Sequence, residues 1–211
     1  VPEATPKGPP RAGPGRPRAT SARTLELIAL QLFTERGYDA TTVDLIATTA
    51  GTSRRTFFRY FESKAAVLWR AFDSEIEALR EALARTAADL PLMAAVRQAV
   101  VGVNHYRAED VAELRTRMAL IGSVPDLIAS AAVHYDAWER AVADFVAARR
   151  SLPPDSLYPL VVGRATLAAC RAAYEHWTAR ADADLTTYLD AALSALATGF
   201  ADDSSAGNPA S

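Results

Sequence analysis

Apolar side chains recur along the chain with a helical period. Leu25, Ile28, Ala29, Leu32 and Phe33 fall at i, i+3, i+4, i+7 and i+8, one face of a helix from about Thr20 to Arg36 that Gly37 closes. Val43, Ile46, Ala47 and Ala50 form a second, shorter stripe that begins at Thr41-Thr42 and stops at Gly51. Thr41 followed by Asp44 is a capping-box pattern for its start. A third short helix begins near Ser53. A fourth begins at Ser63 and is long, with Leu68, Phe72, Ile76, Leu79 and Leu83 on one face and Pro91 ending the region. Further helices are expected over about 92–106, 109–121, 125–149, 155–180 and 184–200, with Pro125, Pro153-Pro154 and Asp182 as punctuation. No convincing strand interrupts this pattern. It predicts an all-α chain of about nine helices, a three-helix unit over 20–66 followed by a larger helical body over 67–201. Residues 1–19, rich in Pro, Gly, Ala and Arg, and residues 202–211 read as disordered ends.

The second and third helices, with the turn Ala50-Gly51-Thr52, have the length and spacing of a helix-turn-helix. Such a unit places its second helix in the major groove of DNA. Val43, Ile46 and Ala47 supply the apolar stripe that holds that helix, Gly51 supplies the permissive turn residue, and Phe57 and Phe61 lie one turn apart to pack inward. Ser53, Arg54, Arg55, Thr56, Arg59 and Tyr60 are left facing outward. Arginine can bond the O6 and N7 of guanine with two donors, and threonine can touch a thymine methyl or a polar base edge. Arg54, Arg55 and Thr56 occupy the first turn, the part that reaches bases. Thr42, Tyr60 and Lys64 suit phosphates, which set register without reading sequence. Lys64 adjoins the expected start of the fourth helix, whose free N–H groups also favour phosphate.

The residues carry a more specific signal. The segment Thr41-Thr42-Val43-Asp44-Leu45-Ile46-Ala47-Thr48-Thr49-Ala50-Gly51-Thr52-Ser53-Arg54-Arg55-Thr56-Phe57-Phe58-Arg59-Tyr60-Phe61-Glu62-Ser63-Lys64 resembles the DNA-binding signature of the TetR family of regulators. Leu32-Phe33-Thr34-Glu35-Arg36-Gly37-Tyr38 is similar to the end of that family's first helix. The resemblance implies a two-domain helical fold, a homodimer, a variable ligand-binding body and, most often, repression relieved by a small molecule. By position it assigns Thr42, Arg54, Arg55, Thr56, Tyr60 and Lys64 to DNA. Arg55 stands where most members have glycine and Phe58 where most have tyrosine, so base preference does not transfer. Ser53 to Phe61, Val67-Leu68-Trp69 and Ala173-Tyr174-Glu175-His176-Trp177 further resemble regulators associated with the mycofactocin biosynthesis system. That narrower resemblance implies an actinobacterial redox-cofactor context and a long-chain acyl-CoA effector.

Charge and composition refine this picture. The net charge is only −2, but residues 1–64 carry ten Lys/Arg against six Asp/Glu, while residues 65–211 carry thirteen against nineteen. A basic first third on an acidic body suggests a polyanion partner, double-stranded DNA, for the first part alone. In the arm, Arg16 and Arg18 sit on an extended Pro-Gly background suited to a minor groove. Cys170 is the sole cysteine, which excludes an intramolecular disulfide and fits a reducing compartment. Without a signal-peptide apolar run or a long uncharged stretch, a cytoplasmic protein with no membrane partner is expected.

In the body, Tyr106, Arg117, Met118, Tyr135, Trp138, Tyr174 and Trp177 offer the mix of apolar lining and polar anchors that a small-molecule effector site needs, with Arg117 a candidate for an anionic group. The small residues of Arg164 to Ala173 and the stripe Leu185, Leu189, Ala192, Leu193, Leu196 and Phe200 point to a homodimer through the last two helices. There is no G-x-S-x-G, no dinucleotide-binding glycine pattern, and no metal-ligand spacing among His105, His134 and His176. Neither an enzyme nor a bound cofactor is therefore expected. The alternative left open is a helical carrier or sensor of apolar ligands without specific DNA binding.

Overall fold

The computed structural model describes residues 20–180 and 182–200. Among them the chain forms nine helices and no strand: α1 (Ala22–Arg36), α2 (Val43–Thr49), α3 (Arg54–Tyr60), α4 (Ala66–Ala84), α5 (Leu92–Val103), α6 (Ala108–Ser123), α7 (Pro125–Arg150), α8 (Leu157–Arg180) and α9 (Leu185–Ala197). The sequences expected to be disordered, 1–19 and 202–211, lie outside the described residues, as do Arg16 and Arg18.

Each of the first three helices is capped by a hydroxyl. Ser21, Thr42 and Ser53 accept hydrogen bonds from the backbone N–H groups of Thr24, Leu45 and Thr56, satisfying donors that a helix start leaves free. The cap of α2 is thus Thr42, not the Thr41 of the capping-box reading. Thr41 is fully buried, and its hydroxyl points at the carbonyls of Gly37 (2.9 Å) and Leu32 (3.2 Å) at the end of α1. The first helix starts at Ala22, after its Ser21 cap, rather than at Thr20. The fourth starts at Ala66 rather than Ser63, with Ser63 Oγ accepting from the Ala66 N–H.

Two apolar cores result. One joins α1, α2 and α3 to the first turn of α4 (Val67, Leu68, Trp69) and to Ile121, Leu127 and Ala131 of α6 and α7. The other joins the rest of α4 to α5 through α9. Phe72, Met118 and Tyr135 are partly buried and pack against both cores. The two units therefore share a seam built from α4, α6 and α7.

In the body, α7 and α8 approach closely at Gly163, where an added Cβ would lie 2.5 Å from the carbonyl oxygen of Glu139. The stripe of α9 faces inward in part: Leu185, Leu189 and Leu193 are buried inside the protomer. They are core residues rather than a surface for a second subunit, because α9 must cover α5 and α8. No single described helix is long and apolar enough to cross a membrane.

Candidate functional site

The outward surface of α2 and α3 is built from the turn between them. Gly51 adopts φ +64°, a left-handed conformation that side chains rarely tolerate, and the Thr52 N–H donates to Ala47 O at 2.9 Å. This turn lets Phe57 drop fully into the core, where its ring packs on Phe61. With that face buried, Arg54, Arg55 and Arg59 are exposed along the other side of α3, and Thr56 is half-buried.

These side chains differ in what holds them. Arg54 pairs with Asp44 of α2 at 2.8 Å and lies over the exposed ring of Phe58. Both partners of that pair are more than half exposed, so it contributes at most about 1 kcal/mol. Arg55 has no hydrogen bond or ion pair among the described residues. Ser53 serves as the α3 cap, and its hydroxyl lies 3.1 Å from that of Thr56. Arg59 donates to the Tyr60 hydroxyl, which itself donates to Thr20 O at 2.8 Å. Tyr60 thereby ties α3 to the start of α1. Lys64 donates to Tyr38 O at 2.7 Å and sits 3.9 Å from the centre of that ring. Tyr60 and Lys64 thus have structural partners in the free protein.

A cavity of about 410 Å³ lies at the seam of the two cores, between α4, α5, α6, α7 and α8. Met118, Tyr135, Trp138 and Tyr174, all singled out from the sequence, line it. Arg117, Tyr106 and Trp177 stand outside its lining; Tyr106 and Trp177 border a second pocket of about 540 Å³, and Tyr106 and Arg117 line a third together with Met118. Arg117 is buried, and its guanidinium donates to the carbonyls of Val67 (3.1 Å) and Leu68 (3.0 Å) and to Glu113 (3.0 Å). A buried guanidinium has to satisfy its donors internally, and this one ties α6 to α4. Trp177 is buried edge-on to Tyr174. Tyr106 stands behind the wall, its hydroxyl donating to Glu75 at 2.6 Å.

The sequence reading missed Phe72, Glu75, Asn104, Leu167 and Cys170 as lining residues. Glu75 left a signal. It lies three residues after Phe72 and four before Leu79, a carboxylate on the apolar face of α4. Burial raises its carboxyl above the ordinary carboxylate range, against the opposing effects of the Tyr106 hydrogen bond and the Arg117 charge. Burial likewise pushes the Cys170 thiol up to about 12. Also unforeseen was Arg23 of α1, which grips Glu113 of α6 with two bonds of 2.6 Å. The Arg23 hydrogen bond is the main reason the Glu113 carboxyl is held below its ordinary range. Among the described residues no cluster could hold a metal ion.

Comparison with known proteins agrees with both halves. Residues 28–71 match the family model described as bacterial regulatory proteins, tetR family, and residues 90–201 match the MftR C-terminal domain. A Mycobacterium tuberculosis protein that carries the name mycofactocin biosynthesis transcriptional regulator MftR is 32% identical over 186 residues, 88% of this chain and 94% of that one. Among solved structures, Thermus thermophilus FadR in complex with lauroyl-CoA aligns at TM-score 0.56 and 23% identity, over 90% of this chain and 99% of that chain. Bacillus subtilis FadR in complex with stearoyl-CoA aligns at TM-score 0.59 and 16% identity, over 85% and 99%. At these identities the two structures establish the shared fold. The relatives are transcription regulators, not enzymes. This chain belongs to the TetR family of DNA-binding transcription regulators, with a C-terminal domain of the MftR type.

Proposed function

We propose that the protein is a repressor that leaves a near-palindromic operator when a small apolar or acyl-type effector, such as a long-chain acyl-CoA, fills the seam cavity. One observation carries this reading: Phe72, Met118 and Tyr135 line the cavity and pack against both cores. An occupant that displaces them acts on the DNA-reading unit and the body together. The acyl-CoA complexes of the two FadR proteins support the ligand class.

In this reading Arg54, Arg55 and Thr56 read base edges. Thr42, Ser53, Arg59, Tyr60 and Lys64 position the unit on phosphates, with Arg16 and Arg18 of the arm in the minor groove. Contact with phosphate would require Lys64 to leave Tyr38. The subunits pair through α8 and α9. On α8 the exposed residues Leu157, Val161, Ala168 and Ala172 recur at helical spacing, and the small ones permit close approach of a partner helix. The reading helices of such a dimer would lie one DNA turn apart, about 34–36 Å.

The coupling path runs through α6. Met118 and Ile121 face the cavity, while Glu113 and Arg117 of the same helix hold α1 through Arg23 and α4 through its first-turn carbonyls. An effector that prefers one placement of α6 shifts the spacing of the reading helices, and by linkage DNA opposes the effector.

The test is a fluorescence-anisotropy titration of an operator selected from genomic fragments, with and without lauroyl-CoA and stearoyl-CoA. A fall in affinity of about fivefold or more is expected, the lower end of ordinary coupling energies. Unchanged affinity with every chain length would overturn the effector reading. Equal binding to operator and random DNA by the wild-type protein would instead favour the apolar-ligand carrier.

A further inference from the structure

The wall of the cavity carries a polar cluster, Glu75, Asn104 and Tyr174, backed by Tyr106. The Tyr106 hydroxyl donates to Glu75 Oε1 at 2.6 Å, and the Tyr174 hydroxyl donates to Asn104 Oδ1 at 2.5 Å. Asn104 Nδ2 donates to the Val100 carbonyl at 2.8 Å. The two tyrosine oxygens lie 3.4 Å apart, but each hydroxyl has a single proton and each is already directed elsewhere. A carboxylate accepts at both oxygens, and among the described residues Tyr106 is the one donor bonded to Glu75. Of the charged residues that line the cavity, Arg171 and Glu175 are exposed and belong to its rim, while Glu75 is partly buried. At the rim Arg171 lies over the ring of Tyr135, with Glu175 3.9 Å away. What Glu75 adds to the otherwise largely apolar wall is therefore a carboxylate oxygen with no donor bonded to it among the described residues.

We infer that the effector meets Glu75 with a hydrogen-bond donor, an O–H or N–H group on an otherwise apolar body, and that free fatty carboxylates are disfavoured. This rests on the reading that the cavity is the effector site, and it narrows that site's ligand class. An acyl thioester qualifies through the amide N–H and hydroxyl groups of its pantetheine arm. A free fatty acid at neutral pH presents only acceptors to Glu75, and two carboxylates held close together repel.

The experiment uses the full chain and three probes of equal length at pH 8: decan-1-ol, decylammonium and decanoate. Trp138 lines the cavity, so its fluorescence reports occupancy. In the wild-type protein the alcohol or the ammonium should bind at least about tenfold more tightly than decanoate, as expected for one hydrogen bond to a charged acceptor. The first two probes separate a neutral donor from a cationic one. Glu75→Gln keeps an acceptor for Tyr106 and adds an N–H donor. It should weaken the alcohol and tighten decanoate, so that the ranking converges or reverses. A general loss of stability would weaken all probes together. Wild-type preference for decanoate, equal binding of all three, or a ranking untouched by Glu75→Gln would overturn the inference while leaving the cavity as a ligand site. Failure of all three to bind the wild-type protein would overturn the effector-site reading and the inference with it.

Discussion

Arg54 and Arg55 are neighbours on α3, yet one is engaged and the other is not. Arg54 pairs with Asp44 and lays its guanidinium over the Phe58 ring, so Phe58 shapes the outward surface of α3 without a hydroxyl. Arg55 has no bonded partner among the described residues and is exposed. Replacing Arg55 with alanine should lower specific operator affinity by about 1–3 kcal/mol and relax preference at one base position. The melting temperature should stay unchanged, since the side chain has no partner to lose. Selection of bound sequences alongside anisotropy checks this; loss of affinity with base preference intact would make Arg55 a phosphate contact. Removing Asp44 should act in the opposite direction, because Arg54 then has no competitor for DNA. Inside the body, the buried Cys170 thiol, pushed up to about 12, should resist iodoacetamide at pH 8 in the folded protein and react once urea unfolds it, as followed by mass spectrometry.

Among the elements, α8 depends on one glycine. Glycine to alanine within a helix ordinarily stabilises by about 1 kcal/mol. At Gly163 the added Cβ would meet the Glu139 carbonyl of α7 at 2.5 Å, so backbone must separate from backbone. Gly163→Ala should therefore destabilise, by about 1–3 kcal/mol, and thermal unfolding reads the sign directly. Helix α6 is the element that touches both the cavity and the DNA-reading unit. Glu113→Gln should weaken its grip on Arg23 and reduce the effect of effector on operator affinity, with effector affinity itself nearly retained. The pH dependence follows from the lowered Glu113 carboxyl. Its folded value lies below the unfolded value of about 4.3, so its contribution is complete above that value and is lost as pH falls through the folded value. The Arg23–Glu113 link is thus intact at neutral pH and fails only in acid. Glu113→Gln should flatten the acid limb of a plot of melting temperature against pH.

At the scale of the whole molecule, the cavity's position does more than its volume. It sits where the core of the three-helix unit meets the core of the body, so the proposed effector would press on both. The proposed dimer adds geometry, since operator affinity then depends on two reading helices held at one spacing. Ala168→Arg, on the exposed face of α8, should yield a folded monomer by light scattering. Its operator affinity should fall far more than its affinity for a half-site. A dimer that persists would move the interface elsewhere.

The sequence by itself determined the helices and the reading head. Period, caps and turn residues are local signals, and Val43, Ile46, Ala47, Gly51, Phe57 and Phe61 specify the helix-turn-helix within a span short enough to read along the chain. Helix starts slipped by a residue or more where a side chain had two possible partners. Thr41 looks like a cap until the end of α1 claims its hydroxyl. The tertiary structure alone decided which body residues meet in the cavity. Met118, Tyr135, Trp138 and Tyr174 come together there. Arg117 is instead drawn to backbone carbonyls of α4, a partner 49 or 50 positions away in sequence. Glu75 gains its meaning only beside Asn104 and Tyr106, brought by the connection between α5 and α6, and Tyr174, brought by α8. A buried charge is defined by its partners, and partners distant in sequence are fixed only by packing.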